Sequence, residues 1–168
     1  MKAGDMLEFE TVSDKYEKIT RLLIEKKLLI TTMESCTAGL VASLITDTEG
    51  SSAALKGAFV TYSNEAKIRQ GVDADIIKKY GVYSAETAIA MARACKAAYK
   101  TDVAVGITGT LGNVDEDNSD SVIGQVYFAI IYRGTERNWH TSLEKRSSRL
   151  AYKLEAANLV ADRLLEML

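Results

Sequence analysis

The chain has 168 residues, 47% of them apolar, and a formal net charge of −2. That is enough apolar material for one domain with a real core, and it leaves no basic surface that would ask for nucleic acid as a partner. No apolar run approaches the roughly 18 residues of a membrane span, and Met1-Lys2-Ala3-Gly4-Asp5 is followed by acids instead of an apolar signal core, so one cytoplasmic, membrane-free domain over 1–168 is expected. Cys36 and Cys95 fit a reducing compartment, and with His140 the sole histidine there is no Cys/His cluster for zinc.

In chain order, Ser13 is placed to cap a first helix whose Tyr16, Ile19, Leu22 and Leu23 form one apolar stripe. Residues 28–33 are a short apolar run without polar alternation, as in a buried strand. The run stops at Glu34-Ser35-Cys36-Thr37-Ala38-Gly39, after which Leu40, Val41, Leu44 and Ile45 recur at helical spacing. A strand that turns sharply into a helix presents its turn side chains and unpaired backbone N–H groups under the positive end of the helix dipole. The turn therefore suits a nucleophile or an anion; the plain alternative is that Ser35 or Thr37 only caps the helix. A second extended run, 58–62, ends at Ser63-Asn64 and gives way to the helical, charged Glu65-Ala66-Lys67-Ile68-Arg69. Ser84 starts a long helix with Ala88, Met91, Ala92, Cys95, Ala98 and Tyr99 on one face. A third strand, 102–107, runs into a third polar turn, Thr108-Gly109-Thr110.

Residues 113–121 are acidic and nearly free of large apolar side chains, as in a surface loop. A long strand follows at 123–132, and residues 133–138 turn it back toward a strand at 139–143, so the two should be antiparallel. The last helix carries Leu150, Leu154, Ala157, Ala161, Leu164, Leu165 and Leu168 on one side. Alternating helices and strands with a late hairpin predict an α/β fold, a three-layer α/β/α sandwich with a mixed sheet.

Three parallel strands ending in polar turns matter together, because open α/β sheets bind ligands beyond the carboxyl ends of their strands. The turns contribute Ser35, Cys36 and Thr37, then Tyr62, Asn64 and Lys67, then Thr108 and Gly109. Serine is a poor nucleophile without a base, and with the one histidine far along the chain a lysine of depressed pKa is the available base. Each residue also has a plain reading: Lys67 as a solvated helix lysine, Tyr62 as a packed strand aromatic, Thr108 as a helix cap.

The motifs Glu34-Ser35-Cys36-Thr37-Ala38-Gly39, Tyr62-Ser63-Asn64-Glu65-Ala66-Lys67, Gly81-Val82-Tyr83-Ser84 and Gly106-Ile107-Thr108-Gly109 closely resemble, in order and spacing, the C-terminal domain of the competence-damage-inducible protein CinA. The resemblance covers about residues 15–165. It implies a mixed five-stranded sheet, a homodimer, and a chain without the large N-terminal domain of full-length CinA. It further implies a nicotinamide mononucleotide deamidase, which hydrolyses the ring carboxamide to nicotinic acid mononucleotide and ammonia in pyridine nucleotide salvage, with no metal or other cofactor. Carried across, Ser35 is the nucleophile, Lys67 the base and Tyr62 the phenol that relays or orients a proton. Cys36, Thr37, Asn64, Thr108 and Gly109 fall on the substrate side, with backbone N–H groups near Cys36 or at Thr108-Gly109 holding the oxyanion. The substrate phosphate falls to Arg149, with Arg146 as its rival.

The segment from Thr110 to Asn118 departs from the family pattern, which continues Thr-Gly with an apolar residue, Ala, Gly and Pro and then a glycine-rich loop; here Asp115, Glu116 and Asp117 stand instead. Acids beside a phosphate site repel the ligand. Two other readings therefore stand beside the deamidase: a catalytically impaired module that still binds a pyridine nucleotide, and a serine/lysine amidase for another carboxamide. A cysteine hydrolase working through Cys36 is a third, since a helix start favours the thiolate.

Overall fold

A computed structural model describes the backbone of residues 3–168 and the side chains of residues 9–168. Met1 and Lys2, part of the amino terminus read above as lacking a signal core, lie outside the described residues. Helix α1 (Ala3–Glu25) leads into β1 (Ile30–Glu34), α2 (Leu40–Thr46), a 3₁₀ turn at Ser51–Ala53, β2 (Leu55–Val60) and α3 (Asn64–Arg69). Then come α4 (Ala74–Tyr80), α5 (Ala85–Tyr99), β3 (Val103–Gly109), β4 (Gln125–Tyr132), β5 (Thr135–Ser142) and α6 (Arg149–Met167). Among the described residues, no helix is long and apolar enough to cross a membrane.

The five strands form one mixed sheet in the order β2-β1-β3-β4-β5, with β1 parallel to β2 and β3, and β4 antiparallel to both β3 and β5. β1 is buried along its whole length, Thr31, Thr32 and Glu34 included, which is why it shows no polar alternation. On one face of the sheet, Val103, Val105, Ile107, Phe128 and Ile130 pack against Tyr16 and Ile19 of α1, Leu44 of α2 and Ala157 and Val160 of α6. On the other, Met33, Ala104, Ala129 and Ile131 meet Ala88, Met91, Ala92 and Cys95 of α5. The sandwich is therefore α/β/α. α5 sits so close to β3 that a Cβ on Gly106 would lie 2.2 Å from the Ala88 carbonyl oxygen, so only glycine fits there.

Several local expectations are corrected. Ser13 lies inside α1 instead of capping it, because no breaker interrupts the preceding residues and Val12 extends the Tyr16, Ile19, Leu23 stripe by one turn. β2 ends at Val60, two residues short of the expected run, since Thr61 and Tyr62 leave the sheet to reach the Ser63 cap of α3. Thr108 and Gly109 belong to β3, paired with Tyr127 and Val126, and no helix follows them. The β4–β5 hairpin turns on Arg133-Gly134 alone, both at positive φ (50° and 78°), and residues 135–138 are strand. β5 is an exposed edge strand, so it has no apolar alternation to read. α4 had no counterpart in the sequence reading, although Asp73 caps it through Asp75 N–H at 2.9 Å and Gly81 ends it.

Candidate active site

Because β1 lies between β2 and β3, the turns that follow β1 and β2 open side by side at one edge of the sheet. The turn after β1 is shaped by the carboxylate of Glu34, which is fully buried. Its Oε2 accepts from Thr37 Oγ1 at 2.7 Å, Gly39 N–H at 3.0 Å and Val41 N–H at 3.1 Å, and its Oε1 from Ala42 N–H at 2.9 Å and Thr32 Oγ1 at 3.0 Å. Glu34 thus caps α2 from the end of the preceding strand. Neither Ser35 nor Thr37 does so, and Gly39 at the N-cap position makes no side-chain bond. The backbone reaches α2 through Ala38 at φ 52° and Gly39 at φ 91°, while Ser35 N–H donates to the Ile107 carbonyl of β3 at 3.0 Å. Among the described residues, the Cys36 and Thr37 N–H groups donate to no backbone carbonyl.

Released from capping, Ser35 Oγ meets Lys67. In α3 the Ser63 hydroxyl accepts from Ala66 N–H at 3.1 Å, and Lys67, one turn in, sends its side chain inward until it is 2% exposed. Its Nζ donates to Ser35 Oγ at 3.1 Å and to the Thr61 carbonyl at 3.0 Å. Burial pulls the Lys67 ammonium down from the ordinary lysine value to about 8, opposed by Cys36 and by the carboxylates of Asp115 and Glu65. The solvated-lysine reading is therefore replaced by a buried amine poised near neutral pH. Beside it, Thr61 Oγ1 is buried without a hydrogen-bond partner among the described residues. Cys36 goes the other way: burial and the nearby Glu34 carboxylate push its thiol up to about 12, so the helix start does not make a thiolate there.

Ser35 opens onto a cavity of about 710 Å³. Tyr62, Asn64, Gly109 and Arg149 line it, as does Cys36. Tyr62 is 60% exposed, and its phenol accepts from Arg149 Nη2 at 2.6 Å; it stands at the cavity mouth as Arg149's partner, apart from the Ser35–Lys67 contact. Arg149 is the first residue of α6, whose cap is Ser148, and its Nη1 donates to Asn113 Oδ1 at 3.0 Å. Arg146 instead pairs with Glu155, so Arg149 and not its rival faces the cavity. The hydroxyls of Thr37 and Thr108 are turned away from it: both residues are fully buried, Thr37 donating to Glu34 and Thr108 to the Val82 carbonyl at 3.0 Å. Among the described residues no group of three or more His, Cys, Asp or Glu side chains is placed to hold a metal ion.

The acidic segment forms a lid over this cavity. Asp115 Oδ2 accepts from the Tyr83 phenol at 2.6 Å and from Asn118 Nδ2 at 2.7 Å, and Asn118 Oδ1 accepts from Asn64 Nδ2 at 2.8 Å. Asp115 N–H donates to Ser121 Oγ at 2.7 Å, closing the loop on itself. Burial and Asp115 together hold the Tyr83 phenol well above its ordinary value, hence protonated and donating. The sequence reading assigned no role to Glu34, Thr61, Tyr83 or Asn118, although Glu34 and Tyr83 stood inside the quoted motifs.

Residues 13–168 match the CinA C-terminal domain family. A CinA-like protein of Geobacter sulfurreducens is 35% identical over 167 residues, covering 98% of this chain and 40% of that protein. A CinA-like protein of Flavobacterium psychrophilum is 40% identical over 111 residues, 66% of this chain and 26% of the relative. Across these relatives the chain spans between 26% and 40% of their length. Among solved structures, a CinA superfamily protein from Escherichia coli superposes with a TM-score of 0.86 at 25% identity, over 100% of this chain and 94% of that one. A competence/damage inducible protein from Agrobacterium tumefaciens gives 0.79 at 28% identity, over 91% and 95%. The matched sequence and the shared α/β/α architecture agree, and the chain belongs to the CinA C-terminal domain family.

Proposed function

We propose that the chain is an amidohydrolase that converts nicotinamide mononucleotide to nicotinic acid mononucleotide and ammonia, in pyridine nucleotide salvage, with Ser35 as nucleophile and Lys67 as base. The observation that carries this reading is the 3.1 Å contact between Ser35 Oγ and a buried lysine whose pKa is drawn down to about 8. The contact serves both directions. The ammonium donates to Oγ, and the neutral amine, held by the Thr61 carbonyl, accepts the hydroxyl proton as Oγ bonds to the carboxamide carbon. The oxyanion formed there is assigned to backbone N–H groups near Cys36 or at Thr108-Gly109. Lys67 then returns its proton to the leaving nitrogen, the C–N bond breaks, and ammonia departs. Water, deprotonated in turn by Lys67, opens the acyl-serine and releases the acid.

Arg149 and Tyr62 are assigned to the substrate's phosphate end: a guanidinium at the cavity mouth, oriented by a phenol, recognises a phosphate by charge-assisted hydrogen bonds. Tyr62 is thereby an orienting residue rather than a proton relay. Cys36 is excluded as nucleophile in this scheme because a thiol raised to about 12 is almost wholly protonated at neutral pH. The purified chain incubated with nicotinamide mononucleotide should release ammonia, and Ser35→Ala should release none. A folded, unaltered chain that yields no ammonia would overturn the reading.

A further inference from the structure

The geometry points to the Thr61 hydroxyl as a second hold on the Lys67 amine, which makes Thr61 a positioning residue for the base; this deepens the serine/lysine reading above and rests on it. Among the described residues, Thr61 Oγ1 is the one buried side-chain oxygen or nitrogen without a hydrogen-bond partner. Neighbouring buried threonines spend their hydroxyls: Thr31 on the Gly57 carbonyl, Thr32 and Thr37 on Glu34, Thr108 on the Val82 carbonyl. An unpaired buried hydroxyl is costly, and valine has nearly the same shape without that cost. Thr61 therefore carries a polar atom that the fold does not use.

Beside that atom stands a donor in the same position. Thr61 N–H donates to the Glu34 carbonyl at 2.8 Å and the Thr61 carbonyl accepts from Lys67 Nζ at 3.0 Å, so its backbone is fixed between the nucleophile's turn and the base. The hydroxyl hangs from the same Cα as that carbonyl, and rotation about χ1 sweeps it through the space alongside. Among the described residues Nζ has two hydrogen-bond partners, Ser35 Oγ and the Thr61 carbonyl. A protonated lysine has three N–H donors; the neutral amine has two and a lone pair. In the neutral form the lone pair faces the Ser35 proton, one N–H takes the Thr61 carbonyl, and one is left over. Once Nζ has taken the Ser35 proton, the new N–H faces the leaving nitrogen, and the same one is left over. In both states one donor at Nζ and one hydroxyl on Thr61 lack partners, and each answers the other. A second bond stops Nζ from turning about the Thr61 carbonyl and keeps its lone pair on Ser35 Oγ.

Thr61→Val removes the hydroxyl and keeps the shape, whereas Thr61→Ser keeps the hydroxyl and loses the methyl. Each is compared with the unaltered chain in urea unfolding, in kcat and KM for nicotinamide mononucleotide, and in the rate at which a fluorophosphonate labels Ser35, followed by mass spectrometry. In the labelling step Ser35 Oγ bonds to phosphorus, fluoride leaves and Lys67 takes the hydroxyl proton, so the pair is read without the nucleotide. Thr61→Val should unfold at the parent's urea concentration or higher, yet lose about tenfold to a hundredfold in plateau labelling rate and in kcat, with KM within about twofold. Thr61→Ser should bring labelling and kcat back to within about threefold of the parent. Labelling of Thr61→Val should also level off at lower pH, because the ammonium loses an acceptor while Cys36, Asp115 and Glu65, the charged and titratable groups acting on Lys67, are untouched. A valine variant that labels Ser35 at the parental rate overturns the inference, and so does a serine variant as slow as the valine one. Labelling of Ser35 in an unaltered chain that releases no ammonia from the nucleotide removes the deamidase reading alone, and the labelling rates of the two variants then decide the role of Thr61.

Discussion

Ser35 and Cys36 are neighbours in sequence with opposite chemistry, because one opens onto the cavity beside an amine and the other is buried beside Glu34. Ser35→Ala should therefore cost several orders of magnitude in kcat with an unchanged circular dichroism spectrum, whereas Cys36→Ala keeps most activity. The reverse result would move the nucleophile to sulfur. Lys67 must lose its proton to act, so kcat/KM should rise with pH and level off above about 8, where its amine becomes neutral. Lys67→Arg keeps the charge but cannot be deprotonated, and activity should fall at least about a hundredfold. An active arginine variant, or a profile flat from pH 6 to 9, would take the base role from Lys67.

At the scale of elements, the β1–α2 turn depends on a cap that comes from the strand. Glu34→Gln keeps the shape but turns an amide N–H₂ toward groups that already donate, and should cost about 2 to 3 kcal/mol in urea unfolding. Ala38 holds the left-handed backbone that favours glycine, so Ala38→Gly should raise stability by about 1 kcal/mol; a loss instead would mean that the turn relaxes around alanine. At the start of α6, Arg149→Ala removes the proposed phosphate contact, worth about 1.5 to 3 kcal/mol, or roughly tenfold to a hundredfold in KM for nicotinamide mononucleotide. The riboside, which has no phosphate, should be almost unaffected. Equal damage to both substrates would make Arg149 a support for Asn113 and Tyr62 only.

For the whole molecule, the buried Lys67 amine carries a stability cost with a definite pH signature. The folded state releases the Lys67 proton near 8 and the unfolded chain near 10.5, so between those values the unfolded state binds more protons and stability rises with pH. The rise is on the order of 3 kcal/mol, and below pH 8 the cost is full and flat. Subtracting the urea-unfolding curves of Lys67→Met from those of the parent isolates this slope; the variant should be inactive yet about 2 kcal/mol more stable at pH 7. A less stable methionine variant would mean that the amine's bonds to Ser35 and Thr61 outweigh its desolvation. Helical stripes, strand runs and the start of α5 at Ser84 were determined by the sequence alone, because periodicity and capping are contacts within a few residues. The three-layer mixed sheet followed from their alternation. β5 was half hidden because a polar edge strand has no apolar period, and Thr108 was misplaced because a threonine in a strand and one in a turn look alike until pairing partners are known. Only the tertiary structure decided that Ser35 meets Lys67 across 32 residues, that Tyr62 pairs with Arg149 across 87, that Glu34 frees Ser35 from capping, and that the acidic loop closes over the site. Those contacts depend on β1 lying between β2 and β3 and on α6 returning to the open edge, an arrangement set by the packing of the whole core and carried by no local pattern.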